Sequence, residues 1–435
     1  MIKDKKNTMK GPNRKKAPEI KDAVEFELAL KPYDKMVLDN GIEVYAVSGG
    51  AEEVMQVEWV FYAGNSYELS NGVAGAANHL IMNGTKSKTA FEISEHFDFY
   101  GSYLNRHCYH ETAVISLHTL TRHLSELLPV VSELITDSIF PEHELDLFKQ
   151  NMKQKLEVNL KKCDFISNRL IDEYLYGAEH PYGKYSTFQT FESLNRAQLV
   201  NFHREFYLHG KLVIFVAGIL PFDLFQQLNK QFGKLPVKQS APAVIHPIKA
   251  AADKKYRISN DPAGVQGAIR IARPFVTRKH PDFAPMQVLN ALFGGFFGSR
   301  LMSNIREDKG YTYGIHSYFQ NHIAESAIMI STEAGKDVCE ETVKEVYHEM
   351  ALLRNEMVSD EELLLVKNYL IGTILGDLDG PFHIIGRWKN VVLNDLPQDY
   401  FYTSVHAIKN VTPADLQALA NKYLQPESFY ELIVI

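Results

Sequence analysis

The sequence predicts an α+β protein of two homologous domains, each a mainly antiparallel sheet with helices packed on one face. Three observations predict it: a length that exceeds one core, an internal repeat at a nearly constant offset, and strand and helix periods mixed without strict βαβ alternation. At 435 residues the chain is too long for a single ordinary core. Its 45% apolar content is enough to fill two.

The repeat rests on two matched segments. Pro141-Glu142-His143-Glu144-Leu145, followed by Lys149-Gln150, corresponds to Ser359-Asp360-Glu361-Glu362-Leu363, followed by Lys367-Asn368, at a shift of 218 residues. Both open a long amphipathic helix with an acidic first turn, which suits the positive end of the helix dipole. Asn195-Arg196-Ala197-Gln198-Leu199 with Phe206 corresponds to Thr412-Pro413-Ala414-Asp415-Leu416 with Tyr423, at a shift of 217. A short capped helix then precedes an apolar strand in each half, Leu212 to Ala217 and Glu431 to Ile435. Two matches that agree in offset and order indicate duplication.

The halves meet at 235–253, LPVKQSAPAVIHPIKAAAD, which carries three prolines and little periodicity. The expected division is a basic disordered tail over 1–22, an N-terminal domain over 23–237, a linker over 238–253 and a C-terminal domain over 254–435. Within the first half a hairpin runs from Met36 to Val47 and turns at Asp39-Asn40-Gly41, where Asn-Gly supports positive φ. Alternating segments at Val54 to Tyr62 and Thr112 to Leu117 predict strands. Helical periods predict helices over 73–83, 90–100, 122–138 and 142–176.

Net charge is −7, and Lys and Arg are interspersed with acidic residues rather than gathered in a stripe, which argues against a nucleic-acid partner. Cys108, Cys163 and Cys339 are odd in number, distant and in no C-x-x-C arrangement, so neither a disulfide framework nor a thiolate zinc site is indicated. A reducing compartment fits best. There is no apolar run long enough to span a membrane, and residues 1–22 lack one of signal-peptide length. The expectation is a soluble cytoplasmic protein without a membrane partner, with Met9 as an alternative start and export by a route without a visible signal left open.

Arg106-His107-Cys108-Tyr109-His110-Glu111 gathers potential metal ligands in one short stretch. On a strand, however, His107 and Tyr109 face one side and Cys108 and His110 the other, so only two ligands converge. An ordinary strand with a polar face is the favoured reading.

The segment Gly72-Val73-Ala74-Gly75-Ala76-Ala77-Asn78-His79-Leu80-Ile81-Met82-Asn83-Gly84-Thr85 resembles the active-site helix of the insulinase/pitrilysin/mitochondrial processing peptidase family, G-L-A-H-F-L-E-H-x-L-F-x-G-T. It agrees at Gly72, Ala74, His79, Gly84 and Thr85. In active members the inverted motif H-x-x-E-H sets two histidines on one helical face within reach of a single zinc ion, and the glutamate polarises the bound water. Here the first histidine's place is Gly75 and the glutamate's place is Asn78, whose amide takes no proton near neutral pH. Only His79 survives, expected as a hydrogen-bonded relic in a packed interior. The resemblance places the third ligand, a glutamate, on a helix downstream, where Glu157, 78 residues after His79, is the nearest candidate. Neither a bound metal nor autonomous proteolysis is expected of this chain.

The second half contains Gly294-Gly295-Phe296-Phe297-Gly298-Ser299-Arg300-Leu301, then Ile305-Arg306-Glu307-Asp308-Lys309-Gly310-Tyr311-Thr312-Tyr313-Gly314. This is similar to the family's second signature, a glycine-rich turn and S-R-L before I-R-E-x-x-G-x-x-Y. The resemblance implies that Arg306 and Tyr313 reach across a chamber to hold the substrate peptide and support the oxyanion, a task for preplaced donors that keep their protonation state. Identity alone would make Arg306 a solvated partner of Glu307 or Asp308 and Tyr313 a half-buried strand residue; the surrounding signature favours the functional reading. The glycine-rich stretch does not match a phosphate-binding loop, which leaves flexibility or close backbone approach as its explanation. His180-Pro181-Tyr182-Gly183 resembles a family element after the ligand-bearing helix and reads as a structural turn.

The resemblance therefore implies a degenerate member, a half clam-shell that serves as the non-catalytic subunit of a two-chain metallopeptidase. It would supply Arg306 and Tyr313 to a homologous partner carrying H-x-x-E-H and zinc, and it would help hold an unfolded peptide, with hetero- or homodimer left open. The alternative is a structural or binding module with no part in proteolysis.

Overall fold

The computed structural model describes residues 21–241 and 244–435. Apart from Lys21 and Asp22, the expected basic tail, Met9 included, lies outside the described residues. The N-terminal sheet has six strands: β1 (Asp34–Val37), β2 (Glu43–Ser48), β3 (Val54–Phe61), β4 (Tyr103–Cys108), β5 (Ala113–Leu120) and β6 (Leu212–Gly218), in the order β1-β2-β6-β3-β5-β4. All pairs are antiparallel except β2 with β6. The β1–β2 hairpin turns through Gly41 at φ +85°, as Asn40-Gly41 predicts.

Alternation assigns the faces. Val57, Trp59 and Phe61 on β3 point with Val44, Ile115 and Ile214 into a core closed by the domain's own helices. Those helices are α1 (Val73–Leu80), α2 (Ala90–Phe99), α3 (Leu124–Asp137), α4 (Glu142–Asn159), α6 (Phe188–Ser193), α7 (Arg196–Phe202) and α8 (Leu224–Phe232), with α5 (Cys163–Tyr176) leaving the domain. Tyr45, Val47, Val213 and Phe215 point to the opposite face.

The C-terminal sheet comprises β7 (Lys255–Ile258), β8 (Gln266–Phe275), β9 (Thr312–Asn321), β10 (Ser326–Gly335) and β11 (Tyr430–Val434), ordered β7-β11-β8-β10-β9 with β7 and β11 parallel. Its helices are α9 (Phe283–Asn290), α10 (Cys339–Asn355), α11 (Asp360–Gly376), α12 (Pro381–Leu393), α13 (Tyr400–Asn410) and α14 (Pro413–Tyr423). With β1 set aside, the two strand orders coincide, including the single parallel pair. The matched helix starts are also alike: α7 and α14 both begin with a reciprocal capping box, Asn195 with Gln198 and Thr412 with Asp415.

The helix predicted over 142–176 is broken. α4 ends at Asn159, and Lys162 is extended (φ −98°, ψ 124°) before α5 begins. The break has a packing cause: α4 buries Leu145, Phe148 and Leu156 in its own core, whereas Ile171, Leu175 and Tyr176 of α5 cover Ala272, Met329, Leu432 and Val434 on the other domain's sheet. One straight helix cannot face both. α12 does the converse, with Ile384, Ile385 and Trp388 packed over Tyr45, Val47 and Phe215 of the N-terminal sheet. The starts of α5 and α12, at 163 and 381, keep the 218-residue shift.

Arg270 of β8 pins this crossing. Its side chain is 1% exposed; Nη2 pairs with Asp164, Nε donates to Asn168 Oδ1 at 2.9 Å, and Nη1 donates to the carbonyls of Ile269 at 2.9 Å and Thr332 at 3.3 Å. Residues 23–33, read from sequence as part of the N-terminal domain, also lie as a strap on C-terminal helices. Val24 N donates to Asn368 at 3.1 Å, the Trp388 indole donates to Lys31 O at 2.8 Å, and Leu28 and Leu30 are buried there. Among the described residues no helix is long and apolar enough to cross a membrane.

Candidate functional site

α1 carries the first signature. Gly72 enters it at φ +87°, and the carboxylate of Glu68 caps it by accepting from Gly72 N at 3.1 Å and Ala74 N at 2.9 Å. Val73, Ala74, Ala76, Ala77 and Leu80 bury one face, which leaves Gly75 and His79 together on the other. A Cβ at Gly75 would meet nothing within 4 Å, because a cavity of about 350 Å³ lies over it between Glu68, Asn71, Cys108, His110 and Lys184. The place of the first imidazole is open space.

Asn78 points the other way. It is 3% exposed and donates Nδ2 to the hydroxyl of Tyr207 at 3.1 Å, inside the core. His79 departs from the expected packed interior: it is exposed, its ring lies against Phe148 at 5.0 Å, and its carbonyl accepts from Arg106 Nε. Desolvation of the ring nitrogens, then the positive charges of Arg106 and Lys155, push its pKa down to about 4, so the ring is neutral at pH 7.

Glu157 does not complete the site. It is exposed and lies nine residues beyond Phe148 on α4, half a turn around from the face that meets His79. Lys155, seven residues beyond Phe148, shares that face and brings a cation. One imidazole flanked by Arg106 and Lys155, with no carboxylate facing it, does not fit a zinc ion. Among the described residues no group of three His, Cys, Asp or Glu is placed to hold a metal.

On β4, His107 meets Asn105 at 2.9 Å while Cys108 turns toward the Gly75 cavity, its thiol pushed up to about 12 by burial and therefore unreactive. His110 bonds Asn65 at 3.0 Å and packs edge-on against His322 of the other domain, ring centres 4.5 Å apart. His180-Pro181-Tyr182-Gly183 is a turn in which Tyr182 N donates to His180 Nδ1 at 3.1 Å and Tyr182 Oη donates to Glu111.

These contacts set a pH response. Burial pushes His110 down to about 4 and His322 down to about 3, from an ordinary value of 6.5. At these two histidines the unfolded chain binds the more protons below pH 6.5, so their contribution to stability is full above that pH and is lost progressively as pH falls toward 4. Urea unfolding should show a falling midpoint over pH 6.5 to 4, and His322→Gln should flatten the slope.

The second signature sits on the other domain. Gly294 is required by close approach, since a Cβ there would lie 2.8 Å from that of Ser317. Arg300 forks onto Glu362 with two bonds of 2.8 Å, and Ile305 is buried, so the turn bearing Arg306 is anchored on both sides. The Arg306 guanidinium lies over the Phe297 ring at 4.5 Å, with Glu307 at 3.7 Å. Tyr313 is the second residue of β9, the edge strand, and is 92% exposed rather than half-buried. It stands about 30 Å along extended strand from His322, away from α1. The chain therefore presents an open, cationic relic at one place and two outward-facing donors at another.

Residues 48–178 match the profile of the insulinase family, peptidase family M16, and residues 193–370 match that of the peptidase M16 inactive domain. An uncharacterized zinc protease of Bacillus subtilis, YmxG, is 25% identical over 79% of this chain and 82% of its own length. A probable mitochondrial-processing peptidase subunit beta of Arabidopsis thaliana is 21% identical over 89% and 75%. Among solved structures, a peptidase M16 inactive domain from Pseudomonas fluorescens superposes with a TM-score of 0.84 at 24% identity, covering 92% of this chain and 98% of that one. The Escherichia coli periplasmic protease PqqL superposes at 0.77 and 14% identity, with 94% of this chain covering 46% of that one.

Proposed function

This chain belongs to the insulinase (M16) family of peptidases, and from that premise we propose that it is the zinc-free subunit of a two-chain metallopeptidase acting on unfolded peptides. One observation carries the reading: α1 presents a single neutral imidazole between two cations, while Arg306 and Tyr313 present donor groups on the surface of the other domain. In this role a homologous H-x-x-E-H partner supplies zinc, water and base. This chain supplies a guanidinium and a phenol to the carbonyl oxygen as it becomes an oxyanion.

An extended peptide would add to a free sheet edge, β9 or β4, through main-chain hydrogen bonds. The likeness to about half of a longer protease supports a partner of similar size. The free thiols of Cys108, Cys163 and Cys339 support a reducing, cytoplasmic setting.

Mixing tests the proposal. The purified chain should hold substoichiometric zinc and cleave no peptide, and adding an H-x-x-E-H homologue should yield a complex more active than that homologue alone. A complex that forms without any gain in hydrolysis would favour the structural-module reading; stoichiometric zinc in the isolated chain would refute both.

A further inference from the structure

Between α9, α11, α12 and α13, under Leu30 of the N-terminal strap, lies a cavity of about 260 Å³ that neither signature touches. Two guanidinium groups, Arg278 and Arg387, line it, and no carboxylate is among its lining residues. Arg387 gives Nη2 to Asp377 at 2.8 Å and lies over the Phe401 ring, but its Nε is buried without a hydrogen-bond partner. The Tyr400 hydroxyl is likewise buried without a well-aligned partner. Burial holds Arg278 below its ordinary range, and only its neighbour Tyr400 counteracts this.

Such a set of groups is costly when empty. A buried donor left unpaired is destabilising, and a desolvated cation is more so unless it is neutralised. Asp377 balances the charge of Arg387. Water could satisfy the donors but would leave Arg278 without a counter-ion. The rest of the wall is mixed: Leu30, Ile374 and Val405 present apolar surface, while Gln287, Asn390 and Ser404 add neutral polar groups.

We propose that this cavity binds a small organic carboxylate, its oxygens held by Arg278, Arg387 and the Tyr400 hydroxyl and its branched apolar body set against Leu30, Ile374 and Val405. Guanidinium forks match carboxylate geometry, and the apolar side chains of Leu30, Ile374 and Val405 favour an organic body over a bare inorganic anion. Arg387 lies on the helix that crosses to the other domain, and Leu30 lies on the strap. The bound anion therefore braces the parts that join the halves, with or without a peptidase partner.

Calorimetric titration of the full chain with 4-methylpentanoate, 4-methylpentanamide and inorganic phosphate tests this, alongside thermal unfolding. The carboxylate should bind about tenfold or more tighter than the amide, raise the unfolding midpoint, and lose about tenfold in affinity in Arg387→Gln with partial recovery in Arg387→Lys. Arg278→Gln provides the same readout should Arg387→Gln not fold. Equal binding of carboxylate and amide, binding of neither at millimolar concentration, or tighter binding of phosphate would overturn the proposal.

Discussion

Arg306→Ala should lower kcat of the reconstituted two-chain peptidase about 100-fold or more, with KM changing much less. The reasoning is differential: the guanidinium strengthens its contact only as the carbonyl oxygen gains charge, so its loss raises the barrier more than it weakens the ground state. Tyr313→Phe, which keeps the ring and deletes one donor, should lower kcat about tenfold or more. Neither change should unfold the chain, since Arg306 rests on an exposed ring and Tyr313 is 92% exposed. Steady-state kinetics on mixtures of wild-type partner with each variant decide it, and full activity in both variants would remove these residues from the mechanism.

The largest effect on stability should come from the crossing at Arg270. Asp164→Ala leaves the guanidinium, 1% exposed, without its ion-pair partner and should cost about 2–3 kcal/mol. The figure stays below that for a wholly buried pair because the Asp164 side chain is 49% exposed and partly screened. Arg270→Met, which removes the charge and keeps an apolar stem, should cost less than Asp164→Ala. Chemical denaturation of the two variants measures the difference, and the opposite order would mean that packing rather than charge fixes the crossing.

Much of the fold was legible from local signals. The Asn40-Gly41 turn, the paired capping boxes and the period of β3 and β5 each depend on a few neighbouring residues, and each lies where the sequence puts it. The break at Lys162 was not legible, because an apolar stripe tells that a face is buried but not against which sheet. The same limit hid the strap: Leu28 and Leu30 read as apolar, and nothing local says that they cross to the other domain's helices. At the relic site the imidazole missing at Gly75 and the carboxylate missing at Asn78 were evident from identity alone. The exposure of His79 and the half-turn displacement of Glu157 needed the relative rotation of α1 and α4, which spacing along the chain does not supply. Arg278 and Arg387 escaped notice because they are 109 positions apart and match no motif.

The reciprocal placement of α5 and α12 bears on how such a protein arose. A lone ancestral unit with this architecture would leave one side of its sheet bare to water, and a bare apolar sheet invites aggregation. Two identical ancestors clasping each other, each closing its twin with a projecting helix, would have solved this by symmetric exchange before any gene fusion joined them. Cutting today's chain in the 238–253 segment should recreate that situation: two fragments insoluble apart and soluble when refolded together.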